Sequence, residues 1–247
     1  MKFYCETNIG LRRDENQDSV KCEYIGSGSV LAAVCDGMGG EDYGREASKL
    51  AVEEFFHRFT EGYNDGLDDE SIQRLLVSSV SAANTVVFTK ARLEYASSSM
   101  GTTLVAAFVT EKASYIANVG DSRAYLITDT GLHRITNDHN VAYLLYEQGR
   151  ITAEELKTHP QKHMLIRAVG VERTVSVDTF ILDEFDDYTG SISLLLCSDG
   201  LCGYCSDDEI YDVIVRSGID NAAKELIKLA LDKGGRDNIT VALVSEG

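Results

Sequence analysis

The sequence predicts an α+β fold: two mostly antiparallel sheets packed face to face, with helices covering the outside. Three observations carry this. Strand-like runs dominate both ends and the middle of the chain, while helical periodicity comes in adjacent pairs and does not alternate one for one with strands, which argues against a doubly wound parallel sheet. The 247 residues contain one proline and no low-complexity or Ser/Gly-rich linker, so no place to divide the chain is evident. With 44% hydrophobic content there is ample material for a core, and one domain over 1–247 is expected.

Taken in order, 3–8 and 19–24 read as short strands. The polar stretch 10–18 between them crowds Arg12 and Arg13 among carboxylates and carboxamides, and exceeds the roughly two to five residues of a simple hairpin loop. Such a turn is often functional. The apolar run 30–35 is long enough for a buried strand. It ends at Asp36, and Gly37, Gly39 and Gly40 then permit turns that other residues resist. Ala47, Leu50, Ala51 and Phe55 fall at helical spacing, as do Ile72, Leu75, Leu76, Val80, Ala83 and Val87, with a polar loop over 61–66 between the two helices. From 100 to 134 the pattern reads as an antiparallel meander, with strands at 103–110, 113–119, 123–128 and 132–134. Two shorter helices follow, over 141–148 and after Ile151, where Thr152 and Glu155 have capping-box spacing. Residues 159–170 read as irregular, and 175–181 and 192–197 as strands. Ser206 and Glu209 open another capped helix with Ile210, Val213 and Ile214 inward; a last helix carries Ala223, Leu226, Ile227 and Ala230, and the strand 239–244 closes the chain.

Composition removes several classes of function. A net charge of −17 argues against nucleic acid or an anionic membrane as the main partner, since both demand a basic surface. No apolar run approaches the roughly 20 residues that span a bilayer, and the start of the chain lacks a secretory leader, so a cytoplasmic protein is expected. Six cysteines are too sparse for a disulfide scaffold. Cys202 and Cys205 spell C-x-x-C, but late in the chain and without the paired cysteines a metal would need, so a catalytic redox role is not expected.

Asp36 closes the run 30–35, Asp121 follows 115–120, Asp199 follows 193–198, and Asp237 stands just before 239–244. Strand ends of a sandwich converge at one edge, and there the four aspartates would meet. A carboxylate beside an apolar core is costly unless a cation meets it. Carboxylates without a matching His/Cys cluster suit Mg²⁺ or Mn²⁺ better than zinc. Two such ions roughly 3.5–4 Å apart can lower the pKa of a shared water and aim it at phosphorus. This fits a chain with no G-x-S-x-G elbow and no cysteine in a C-x5-R loop. Arg13 is the candidate for holding phosphate oxygens, against the plainer reading of a surface arginine paired with Glu15. His159 and His163 are four apart, but Pro160 interrupts them and no metal role is expected there.

The series Arg13-x-x-Asn16-Gln17-Asp18, Val34-Cys35-Asp36-Gly37-Met38-Gly39-Gly40, Ser99-Met100-Gly101-Thr102-Thr103, Val119-Gly120-Asp121-Ser122-Arg123, Asp138-His139, Arg167-Ala168-Val169-Gly170, Cys197-Ser198-Asp199-Gly200-Leu201 and Asp237-Asn238-Ile239-Thr240-Val241 resembles the bacterial branch of the metal-dependent Ser/Thr protein phosphatases, type 2C. The motifs occur in family order and cover nearly the whole chain. The resemblance implies a four-layer α/β/β/α sandwich holding Mn²⁺ or Mg²⁺, two core ions and a third site used by bacterial members. By it, Asp36 bridges the core ions, the Gly37 carbonyl binds the second, Asp199 and Asp237 complete the first, and Asp121 with Asp199 serves the third. Asp18 would sit in the metal shell through water, and Arg13 would bind the substrate phosphate. Gln17 stands where many members have a glutamate, and Met38 where some eukaryotic members have a histidine proposed as general acid, so protonation of the leaving group is left without an assigned residue. Residues 138–170 correspond to the family's mobile flap. Within it, 143–146 suit contact with a protein substrate, though core packing is the default for such a cluster.

The expected function is therefore dephosphorylation of phosphoserine and phosphothreonine in proteins by a monomer that opposes a bacterial Ser/Thr kinase. The alternative is a catalytically silent binding module on the same fold, and loss of a core aspartate would have favoured it. None is lost.

Overall fold

A computed structural model describes residues 1–40, 43–93, 100–183 and 193–245; Ser99 and Ile192, each part of an expectation above, lie outside them. One sheet has the order β1 (Lys2–Asn8), β11 (Ile239–Ser245), β10 (Ser193–Cys197), β7 (Arg123–Ile127), β8 (Leu132–Arg134). The other runs β2 (Asp18–Ile25), β3 (Ser29–Met38), β5 (Leu104–Val109), β6 (Ala113–Val119), β9 (Asp178–Asp183), with the two-residue β4 (Gly101–Thr102) on β3. The pairings within both sheets are antiparallel.

Pleating sends alternate residues to opposite faces, and in the central strands both faces are covered. Val30, Ala32 and Val34 of β3 join Val105 and Ala107 of β5, and meet Leu194, Leu196, Ala242 and Val244 from the other sheet. The intervening Leu31, Ala33 and Cys35 point the other way. They pack on α1 (Tyr43–Gly62) and α2 (Asp69–Leu93) through Phe55, Phe59, Leu76 and Val80. On the far side Leu195, Cys197, Val241 and Leu243 pack on α6 (Asp207–Ser217) and α7 (Ile219–Asp232) through Ile210, Val213, Leu226 and Ile227. The result is the four-layer α/β/β/α sandwich. Burial on both faces is why these strands read as unbroken apolar runs without polar alternation.

One expectation about connectivity changes. The meander over 100–134 is two hairpins in different sheets: β5 pairs β6, β7 pairs β8, and Gly120-Asp121-Ser122 carries the chain across. Residues 9–17 likewise cross between sheets, since β1 pairs β11 while β2 pairs β3. Strand periodicity reports where strands lie and not which neighbour each takes. Two further elements have too few residues to show a period: β4, and the four-residue helix α5 (Asp199–Cys202) immediately after β10. The strand expected over 175–181 begins later, at Asp178, because it pairs with Asn118 one residue from the end of β6 and residues before it have no strand left to pair with.

Both expected capping boxes form, Thr152 with Glu155 at α4 (Ala153–Thr158) and Ser206 with Glu209 at α6. A further cap, Asn140, closes the N-terminus of α3 (Val141–Glu147) by accepting from the Tyr143 amide. No helix among the described residues is long and apolar enough to cross a membrane.

Candidate active site

Both sheet crossovers and the ends of β3, β10 and β11 lie at the same end of the sandwich. The register shows this: Asp18 pairs with Asp36 across β2 and β3, Cys197 with both Arg123 and Val241, and Asn8 with Ile239. There, Arg13, Asp36, Gly37, Asp121, Asp199 and Asp237 line an open cleft of about 920 Å³. Asp18 is buried behind it.

The backbone of Asp36 is held from the β4 side. Its amide donates to Thr103 Oγ1 at 2.9 Å, and its carbonyl accepts from Thr103 N and Thr102 Oγ1, each at 2.9 Å. Burial, then the carboxylates of Asp18, Asp199, Asp121 and Asp237, push the Asp36 carboxyl well above the usual range. Gly37 is required by close approach: a Cβ there would lie 2.0 Å from Gly44 O and 2.5 Å from Gln17 O, both main-chain atoms. Asp18 Oδ2 accepts from Ser198 Oγ at 2.8 Å, while its buried Oδ1 has no hydrogen-bond partner. Burial raises the Asp18 pKa to about 7, with Asp199 and Asp237 adding to the rise and bonds from Thr240 and Ser198 opposing it. Asp121 rises to about 8 through burial, Asp199 and Asp138, against the pull of Arg123.

Two basic side chains meet this cluster. Arg13 Nη2 donates to Asp237 Oδ2 at 2.7 Å, which raises the guanidinium pKa, and Arg45, not Arg13, pairs with Glu15, at 2.9 Å. His163 Nδ1 lies 3.2 Å from Asp199 Oδ2, and this contact raises its pKa. His159 stands apart from the site, accepting from the Gln161 amide. Helical spacing, which Pro160 destroys, gives no reason to place His163 here; the fold brings it to the site through an irregular segment with no readable period.

Several side chains shape the site through contacts that their place in the sequence motifs does not show. Asn238 accepts from Gln17 N at 2.8 Å and donates to Ile9 O and Glu15 O, each at 2.9 Å, so one carboxamide fastens the crossover bearing Arg13. The crossover also presses on the next residue back, since a Cβ at Gly10 would fall 2.2 Å from Asp237 O. Gln17 donates to Gly40 O at 3.1 Å and serves the loop after β3. The residue type at each place is ordinary. What matters is the distant backbone it reaches.

Beyond Asp121, Asp199 and His163 a second cleft of about 700 Å³ continues toward Tyr143, Tyr146 and Lys157. The 143–146 cluster is thus only partly buried, with Leu144 and Tyr146 exposed, because Ala142 alone of α3 is fully covered. Arg123 forms a bidentate pair with Asp138 at 2.9 and 2.8 Å, and Arg134 Nη2 reaches the same carboxylate at 2.5 Å. All six cysteines are free thiols. Cys202 and Cys205 are buried, and Cys202 Sγ donates to Ser198 O at 3.5 Å.

A buried carboxylate oxygen without a partner, raised carboxyl pKa values and an all-oxygen donor set fit a hard divalent cation. As the side chains stand, no three His, Cys, Asp or Glu among the described residues converge closely enough to hold one ion. Arg13 and His163 lie against Asp237 and Asp199 instead.

Comparison with known proteins agrees with this geometry. The model of the family described as protein phosphatase 2C matches residues 12–228. The chain is 36% identical to the serine/threonine phosphatase stp of Listeria monocytogenes over 239 residues, 96% of this chain and 93% of that protein. It is 33% identical over 250 residues to the serine/threonine protein phosphatase PstP of Mycobacterium tuberculosis, covering 98% of this chain and 44% of that longer protein. The crystal structure of serine/threonine phosphatase Stp1 from Staphylococcus aureus superposes with a TM-score of 0.90 at 36% identity, over 100% of this chain and 95% of that one. A match over most of the chain in both sequence and structure, with the motif aspartates gathered at one end of the sandwich, leaves one assignment: the chain belongs to the protein phosphatase 2C family of phosphoprotein hydrolases, which are generally metal-dependent.

Proposed function

We propose that this protein is a Mn²⁺- or Mg²⁺-dependent serine/threonine protein phosphatase acting on proteins phosphorylated by a Ser/Thr kinase of the same cell. One observation carries the reading: Asp36, Asp121, Asp199 and Asp237 line one cleft together with Arg13. In this reading Asp36, the Gly37 carbonyl, Asp199 and Asp237 would hold the two core ions, and Asp18 would support them from behind the cleft. Asp121 and Asp199 would hold a third. Such ions supply charge neutralisation and acidify the attacking water. The chain does the rest.

Arg13 has five N–H donors, and its bond to Asp237 leaves others to bind the non-bridging oxygens of a phosphoryl group. Asn238 fixes the segment that presents it, so the phosphorus is brought to the carboxylate cluster in one orientation. The flanking peptide has room in the adjoining cleft beside Tyr143, Tyr146 and Lys157. That openness suits a protein substrate better than a small metabolite, which is usually enclosed.

The test is hydrolysis of a phosphothreonine peptide by metal-stripped protein with Mn²⁺, Mg²⁺, Ca²⁺ or Zn²⁺ returned separately. Restoration by Mn²⁺ or Mg²⁺ is expected. Silence with every metal, in protein shown to be folded, would favour a non-catalytic binding module.

A further inference from the structure

Asp121 sits in the crossover between the sheets, so its carboxylate goes where Gly120 is held. His139 takes both polar main-chain groups of that glycine. The His139 amide donates to Gly120 O at 3.0 Å, and Gly120 N donates to His139 Nδ1 at 3.0 Å. An amide N–H can only donate, so Nδ1 is unprotonated and the proton of the neutral ring lies on Nε2. Nε2 then donates to Asp178 Oδ2 at 3.0 Å. Arg167 Nη1 is 3.1 Å from Nε2, but these are two donors; its acceptor is Asp178 Oδ1 at 2.6 Å. The ring is buried, and burial lowers its pKa against the raising pull of Asp178, which agrees with a neutral imidazole.

From the other side Gly120 meets Thr103. Its φ is +109°, and a Cβ there would fall 2.5 Å from Thr103 Cγ2. Thr103 Oγ1 also accepts from the Asp36 amide and lies 2.7 Å from Ser122 Oγ. Gly120 is therefore pinned between the residue that holds Asp36 and a histidine oriented from β9. The cluster supplies a reason: Asp199 repels the Asp121 carboxylate, and an unclamped loop would let the two separate.

We propose that His139, oriented by Asp178, is a positioning residue that fixes Asp121 beside Asp199, with Arg167 holding the other oxygen of the Asp178 carboxylate. The inference rests on the reading of Asp121 as a metal ligand. It assigns to His139, to Asp178 and to Arg167 a function in metal affinity that contact with the ion would not reveal.

The experiment is calorimetric titration of metal-stripped protein with Mn²⁺, each variant first shown to be folded by circular dichroism. His139→Phe fills the space and removes both ring bonds. It is expected to weaken one Mn²⁺ site by about 10- to 100-fold while leaving the others unchanged, the range usual when a partner of a ligand is lost. His139→Asn keeps an acceptor near the Nδ1 position and is expected to recover most of that affinity. Asp121→Asn should remove the same site. If Asp121→Asn loses a site and His139→Phe does not, the positioning inference is overturned while the ligand reading stands. If Asp121→Asn titrates like the parent, the ligand reading itself fails. Should His139→Phe not fold, Asp178→Ala decides, and unchanged Mn²⁺ binding in it overturns the role.

Discussion

Asp36 concentrates the conflict that the site contains. It is held rigidly by Thr102 and Thr103, and its charge is opposed by burial and four neighbouring carboxyls. Asp36→Asn removes that charge with almost no change of shape. Turnover of a phosphothreonine peptide should fall by at least about a hundredfold, as loss of a ligand exceeds loss of a ligand's partner. The melting temperature of the metal-stripped variant should equal or exceed that of the parent, because a charge repelled by its carboxylate neighbours is gone. Near-normal turnover would remove Asp36 from the mechanism. At this scale the amino-acid sequence is most informative: an aspartate at either end of an apolar run is conspicuous, so the placement of Asp36, Asp121, Asp199 and Asp237 at strand ends is legible from residue order alone. The contacts of Thr103, Ser198, Asn238 and His163 are not, because each acts on backbone or a side chain far along the chain, and spacing within one segment carries no trace of that.

Elements explain what single residues cannot, and the crossover 9–17 is the clearest case. It has no regular structure, yet Asn238, at the head of β11, satisfies three of its backbone groups. Asn238→Ala leaves these groups short of partners and should cost about 2–3 kcal/mol of stability in a denaturant titration. If Arg13 depends on this segment for its aim, the variant should also raise KM for the phosphopeptide, and Arg13→Ala should raise KM further without the stability cost. A parental KM in Asn238→Ala would separate the fold of the turn from phosphate binding. Close approach gives a second case: Gly37→Ala places a Cβ 2.0 Å from the carbonyl oxygen of Gly44, which leads α1 into the sandwich. Neither backbone can yield cheaply, so a loss above about 3 kcal/mol is expected in the same titration. Helices, caps and most strands are legible in the sequence because amphipathic period and capping pairs are local. The sheet change at Gly120 is not, because β5, β6 and β7 have the same apolar character whether the third continues the meander or leaves it.

For the whole molecule, the carboxylates at one end of the sandwich tie stability to pH and to metal together. In the folded chain burial and neighbouring carboxylates push Asp18 up to about 7 and Asp121 up to about 8, against 3.8 for an ordinary aspartate, and raise Asp36 as well. Between the unfolded and folded values the folded chain keeps protons that the unfolded chain has released, so stability falls as pH rises through that window. From pH 6.5 to 8 the metal-stripped protein should lose a few kcal/mol, seen as a drop of about 5–10 °C in melting temperature. Two groups pull the other way: His139 below about pH 6.5, and the Cys5 thiol, lowered to about 7 by its hydrogen bond with Cys22, as pH rises through about 7 toward 9, where it offsets part of the carboxylate loss. Saturating Mn²⁺ separates these contributions, because a cation at the cluster replaces the protons there and leaves His139 and Cys5 nearly as they were. The rise in melting temperature on adding Mn²⁺ should therefore be larger at pH 8 than at pH 6.5. A metal-induced rise that is the same at both values would mean that the carboxyls do not share their charge in the folded protein, and the cleft would then need another account.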